Sequence, residues 1–183
     1  IDNFNGSPER PNMIDNPFVK GNNWLRFIEE EKQITLGEEQ LQVLHDIVNI
    51  ILDNFKQRDF LNPINLGGSA GTGKSLTTSF LLEWINTKGF PVKLCAPTHK
   101  AALVLKKYND YDATTLHSML ALSPKVDILK LDIRELRFFA TNDKKMSIPY
   151  DGIVICDEAS MVSSDLYDLL VEKCSLMSTM IIF

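Results

Sequence analysis

Two short stretches of this chain carry residue types at spacings suited to phosphate chemistry. The first, Gly68-Ser69-Ala70-Gly71-Thr72-Gly73-Lys74-Ser75, fits the pattern G-x-x-x-x-G-K-[ST]. Glycines let a backbone curl until successive N–H groups point at one anion, and a helix starting just behind the curl adds its positive end. In such a loop the Lys74 ammonium reaches the β- and γ-phosphates of ATP, and the Ser75 hydroxyl ligates Mg²⁺, a hard cation that takes oxygen donors. The second stretch is Asp157-Glu158, which follows the apolar run Ile153-Val154-Ile155-Cys156. Two carboxylates at the C-terminal end of a core strand stand where open α/β sheets place their ligands. Asp157 suits the Mg²⁺, directly or through water, and Glu158 is then the candidate to orient and deprotonate an attacking water. Read alone, the pair better suits a strand end that caps the next helix; the loop roughly 80 residues upstream turns the balance to catalysis.

Those side chains need a scaffold, and the apolar pattern supplies one. Leu41, Leu44, Ile47, Val48, Ile51 and Leu52 fall at helical spacing after Gly37. Pro63 to Leu66 reads as a short strand leading into the glycine-rich loop. Leu76, Phe80, Leu81, Trp84 and Ile85 form the stripe of the next helix, which Lys88 and Gly89 end. Pro91 to Ala96 reads as a strand, Lys100 to Lys107 as a helix, and Gly152 to Cys156 as a strand buried on both faces. A helix from Ser164 to Val171 and a strand from Thr179 to Phe183 complete the order. Strands alternating with helices predict a parallel sheet built from right-handed crossovers, hence an α/β P-loop NTPase fold. Residues 1–33, rich in Asn, Pro, Asp and Gly, read as an extended or partly disordered lead-in, with Trp24, Leu25, Phe27 and Ile28 able to form one amphipathic turn. The folded domain is expected over residues 34–183. Leu122 to Tyr150 matches no motif and reads as a surface insertion.

Composition limits the alternatives. A chain of 183 residues has room for one α/β domain plus a tail. It has no run of about 18 apolar residues and no charged-then-apolar leader, so a cytoplasmic protein with no membrane partner is expected. Cys95, Cys156 and Cys174 sit in or beside apolar runs without CxxC spacing, which predicts reduced core residues rather than a disulfide framework or zinc site. The net charge of −5 argues mildly against a protein that coats nucleic acid.

Five blocks in order and spacing carry a resemblance. Gln40 before a helix, the glycine-rich loop, Ala96-Pro97-Thr98-His99-Lys100-Ala101-Ala102, Thr114-Thr115-Leu116-His117-Ser118 and Asp157-Glu158-Ala159-Ser160-Met161 resemble the first motor domain of superfamily-1 helicases. The likeness is to the RecD-like and Dda-like branch, from about Thr35 to Phe183. It implies a RecA-like sheet flanked by helices, incomplete here, in a 5′-to-3′ DNA helicase that couples ATP hydrolysis to movement along single-stranded DNA. It further implies that Gln40 contacts adenine, and that Pro97, Thr98, Lys100, Thr115 and His117 lie on the single-strand track. Each of these has a plainer reading. Gln40 also suits a solvated first helical turn, His117 a hydrogen-bonded structural histidine, Lys100 a solvated charge and Pro97 a strand terminator. In the family, a Gly-Asp and Gln motif and a second RecA-like domain with the transition-state arginines come after the position of Phe183, so the resemblance implies that this chain alone hydrolyses ATP feebly. Two other functions fit the same loop: a P-loop ATPase working as a switch or clamp, and a nucleotide-binding module without turnover.

Overall fold

The computed structural model describes residue 30 and residues 33–68, 73–108, 111–124, 138–140 and 145–183. The chain divides into two compact units, Ile1–Gly37 and Glu38–Phe183. Most of the first, including the turn expected at Trp24 to Ile28, lies outside the described residues. The second unit carries every motif named above.

It opens with α1, Glu38–Gln57, whose Leu44, Ile47, Val48 and Ile51 are buried at i, i+3, i+4 and i+7. Helix α2 spans Lys74–Thr87 and buries Thr77, Phe80, Leu81, Leu82, Trp84 and Ile85. It stops where Gly89 takes a left-handed φ of 70° and donates its N–H to Asn86 O at 2.9 Å. Phe90 then turns back under the helix and stacks on Phe55 of α1, ring centroids 4.5 Å apart. Strand β1 (Val92–Ala96), helix α3 (His99–Tyr108), strand β2 (Ala113–Thr115) and the single turn α4 (Leu116–Met119) follow in order. Next come strands β3 (Leu122–Pro124) and β4 (Phe138–Ala140), then β5 (Ile153–Cys156), α5 (Ser164–Leu176) and β6 (Met180–Ile182).

The main sheet has the order β2-β1-β5-β6, and every neighbouring pair in it is parallel. All four residues of β5 are buried, which explains an unbroken apolar run where a one-faced strand would alternate. Leu170 and Cys174 of α5 and Leu116 and Met119 of α4 pack with Cys95, Val154, Cys156 and Ile181 in one cluster. Ala101, Ala102 and Leu105 of α3 pack with Ala96 in another. This is the parallel sheet with flanking helices that the alternation predicted, and it agrees with the RecA-like sheet that the resemblance implies.

The structure corrects several element bounds. The strand expected at Pro63 to Leu66 is an isolated parallel bridge, Ile64 with Ile182. Its backbone bonds are nonetheless in place: Ile64 N–H to Ile181 O at 2.9 Å, Phe183 N–H to Ile64 O at 2.8 Å and Leu66 N–H to Phe183 O at 2.6 Å. Helix α5 runs past Val171 to Leu176, because Cys174 repeats the buried position of Leu170 one turn on. Over Ala113 to Met119, where the sequence shows no period, the chain forms β2 and α4. Within Leu122 to Tyr150, β3 and β4 pair antiparallel, with Ser123 opposite Phe139; residues 125–137 and 141–144 lie outside the description.

Candidate nucleotide and nucleic-acid site

Parallel pairing in register sets the site. Cys95 lies opposite Cys156 and Ala96 opposite Thr115, so three strand ends fall in one row. Along that C-terminal edge stand Thr115 and His117, then Pro97 and Thr98, then Asp157 and Glu158. The Ile64 to Leu66 segment, bonded to β6, delivers the glycine-rich loop to the same row.

Of the loop, Gly68, Gly73, Lys74 and Ser75 are described, whereas Ser69, Ala70, Gly71 and Thr72 lie outside the described residues. Gly73 occupies the N-cap of α2 at φ 81° and ψ 19°. A glycine brings no side chain to cap the helix, so the first-turn N–H groups of α2 are those an anion would satisfy. The conformation is left-handed, and a methyl group added at Gly73 would overlap the Gln40 side-chain amide. Gln40 of α1 therefore lies directly against the loop. The Lys74 ammonium donates to Gly68 O at 2.5 Å, folding back over the loop's own backbone.

A cavity of about 560 Å³ opens beside this loop. Gly68, Lys74 and Ser75 line it together with Asp157, Glu158 and Ser160. Residues at opposite ends of the domain's sequence thus share one space, as the spacing of the two motifs predicted. Gln40 is not among the lining residues; it flanks the loop from outside the cavity. Asp157 and Glu158 are exposed there, and Glu158 N–H donates to Asp157 Oδ1 at 2.9 Å. Ser75 and Asp157 both line the cavity and carry hard oxygen donors, the kind Mg²⁺ takes. The residues present therefore fit that ion.

Sequence reasoning passed over three lining residues with polar side chains: Asn65, Thr78 and Ser160. Thr78 stands four residues after Lys74 on a helix, so 3.6-residue periodicity alone places it on the loop-facing side. Ser160 stood within a quoted block without a role. Nothing in the pattern marks Asn65.

The candidate track residues divide by environment. Lys100 is exposed, while Pro97 and Thr98 are half-buried. Thr98 Oγ1 accepts the Ala101 N–H at 3.1 Å, capping α3. Thr115 is buried, and its Oγ1 accepts the Ser118 N–H at 3.2 Å, capping α4. Burial holds the His117 imidazole below its ordinary pKa, so at neutral pH it is an uncharged hydrogen-bonding group. Cys95, Cys156 and Cys174 are buried and outside any disulfide. Burial pushes the Cys174 thiol up to about 12, and a hydrogen bond with Cys156 together with burial raises that of Cys95. Such thiols stay protonated and inert. No helix among the described residues is long and apolar enough to cross a membrane.

Comparison with known proteins agrees with this geometry. A family model described as an AAA domain matches residues 56–183. The chain is 32% identical over 123 residues to the ATP-dependent DNA helicase dda of Enterobacteria phage T4, a match covering 67% of this chain and 26% of the phage protein. It is 33% identical over 131 residues to the ATP-dependent RecD2 DNA helicase of Deinococcus radiodurans, covering 72% of this chain and 15% of that protein. The chain thus spans about a quarter or less of the length of these relatives.

Proposed function

We propose, from the premise that this chain belongs to the AAA domain family, that it is the ATP-binding motor domain of an ATP-dependent DNA helicase of the superfamily-1, RecD-like and Dda-like kind. The observation that carries the proposal is the shared cavity, lined by Gly68, Lys74 and Ser75 and by Asp157 and Glu158, at the C-terminal edge of a parallel sheet.

In this reading the α2 N-terminus and the loop backbone hold the phosphates of ATP, and Lys74 leaves Gly68 O to pair with the β- and γ-phosphates. Ser75 and Asp157 would hold Mg²⁺, which when bound neutralises charge on the phosphates. Glu158 accepts the proton of the attacking water, since it lines the same cavity as Lys74. Gln40, lying against Gly73, is placed to read the base of a nucleotide held by the loop. Pro97, Thr98, Lys100, Thr115 and His117 form the single-strand contact along the neighbouring strand ends. Travel from 5′ to 3′, a second RecA-like domain closing over the cavity and action in the cytoplasm belong to the same proposal.

The test is turnover in the full-length parent with and without single-stranded DNA. Glu158→Gln should retain ATP binding yet lose turnover by at least about 100-fold, since an amide cannot take the water's proton. Wild-type kcat in that variant would remove Glu158 from the role of base. An ATPase indifferent to DNA would favour the switch or clamp, and nucleotide binding without any hydrolysis would favour a binding module.

A further inference from the structure

We infer that Asp157 is the positioning residue for Glu158: its Oδ1 fixes the backbone turn that aims the base. The inference rests on the reading of Glu158 as base.

Successive residues of a strand point to opposite faces of the sheet. Were β5 simply to continue, the Asp157 and Glu158 carboxylates would lie on opposite sides of the sheet; the chain instead turns immediately after Asp157. That turn is visible in the backbone. Asp157 is still on the ladder, its N–H donating to Cys95 O of β1 at 3.0 Å. The next residue breaks away at φ 55° and ψ 40°, a left-handed conformation that a residue bearing a Cβ adopts when its surroundings impose it.

Three hydrogen bonds hold the break. Met161 N–H donates to Glu158 O and Val162 N–H to Ala159 O, each at 3.0 Å. The third is the bond from Glu158 N–H to Asp157 Oδ1, the one of the three supplied by a side chain and the one that acts on Glu158's own amide. A bond to an ionised acceptor is stronger than one between neutral groups. Asp157 is itself anchored to β1, so the register of β1 with β5 is carried through one carboxylate to the base.

The substitutions Asp157→Asn and Asp157→Ala separate this role from metal binding, because asparagine keeps an oxygen acceptor and loses the charge whereas alanine loses both. The first measurement is hydrogen exchange of the Glu158 amide by NMR in the 183-residue chain without nucleotide or metal. Asp157→Ala should speed exchange by at least about tenfold, with the Glu158 carbon shifts leaving left-handed values, and Asp157→Asn should restore most of both. The second is turnover of the full-length parent at saturating Mg²⁺, where Asp157→Asn should exceed Asp157→Ala by about tenfold or more. Unchanged exchange in Asp157→Ala, or equal turnover of the two variants, overturns the inference. The exchange experiment involves neither ATP nor DNA, so a parent that fails to hydrolyse or unwind would count against the functional proposal and leave the exchange result standing.

Discussion

Several candidate side chains, Lys74, Thr98, Thr115 and Asp157 among them, have a job even before any ligand arrives, and that shapes what their removal should do. Lys74 rests on Gly68 O, so Lys74→Ala deletes both a loop contact and the ammonium intended for the phosphates. ATP affinity should fall by about 10- to 100-fold, the cost of one or two charge-assisted bonds. Fluorescent-nucleotide titration checks it, and unchanged affinity would take Lys74 out of the site. The track residues divide more finely. Lys100 is an exposed cation, whereas burial keeps His117 uncharged at neutral pH. Binding of single-stranded DNA releases about 0.7 counterion per neutralised phosphate. Lys100→Gln should therefore flatten the salt dependence of binding by roughly 0.7 in log–log slope, and His117→Gln should leave that slope unchanged at pH 7.5. Titration of labelled oligonucleotide at several salt concentrations in the parent distinguishes them. The His117 shift also has a sign in stability: its folded pKa lies below the ordinary 6.5. Its contribution is thus complete above that value and is lost as pH falls, since the unfolded chain then binds the extra proton more readily.

At the level of elements, long apolar periods were legible and short elements held by tertiary contacts were not. The α1 stripe and the buried run of β5 could be read directly, since burial on one helical face or on both sheet faces leaves an unmistakable pattern. Three-residue β2 and four-residue α4 carry no period to detect; the second forms where the Thr115 hydroxyl caps it. The segment before the glycine-rich loop is strand-like because β6 supplies its partners, 117 residues on in the Ile64–Ile181 bond, a contact no local signal announces. Both halves of the cavity were legible because a fixed pattern marks each, but Asn65 and Thr78 were missed because they lack one. Gly152 shows how tightly the approach to β5 is set. A methyl there would overlap Pro91 O, the carbonyl that accepts Ile153 N–H at 2.8 Å. Backbone cannot swing aside as a side-chain tip can, so Gly152→Ala should lower stability by about 1–3 kcal/mol. Denaturant unfolding of the chain measures it, and a midpoint equal to wild type would mean that the loop ahead of β5 yields.

For the whole molecule, the cavity explains why nucleotide binding and mechanical work should part company. Its walls come from the loop side and the Asp157 side of one sheet edge, and the carboxylates on it are exposed. A motor must exclude water from the γ-phosphate and convert closure into displacement of the DNA, which needs a second body to close against. In related phosphoryl-transfer enzymes an arginine supplied across such an interface is worth about 10³ to 10⁵ in rate. The polypeptide of residues 1–183 should accordingly bind Mg²⁺·ATP weakly, turn it over feebly and fail to separate a duplex. Its hold on single-stranded DNA should also be weak and salt-sensitive, since the contacts it offers are a few hydroxyls, one imidazole and an exposed lysine. Two measurements made side by side decide it: strand displacement on a 5′-tailed duplex at saturating ATP, and titration of labelled single strand at two salt concentrations. Adding the remainder of the parent should then restore DNA-stimulated turnover. Robust ATP-dependent unwinding by residues 1–183 alone would mean that one sheet edge suffices for the whole cycle, and both the two-domain mechanism and the assignment built on it would fail.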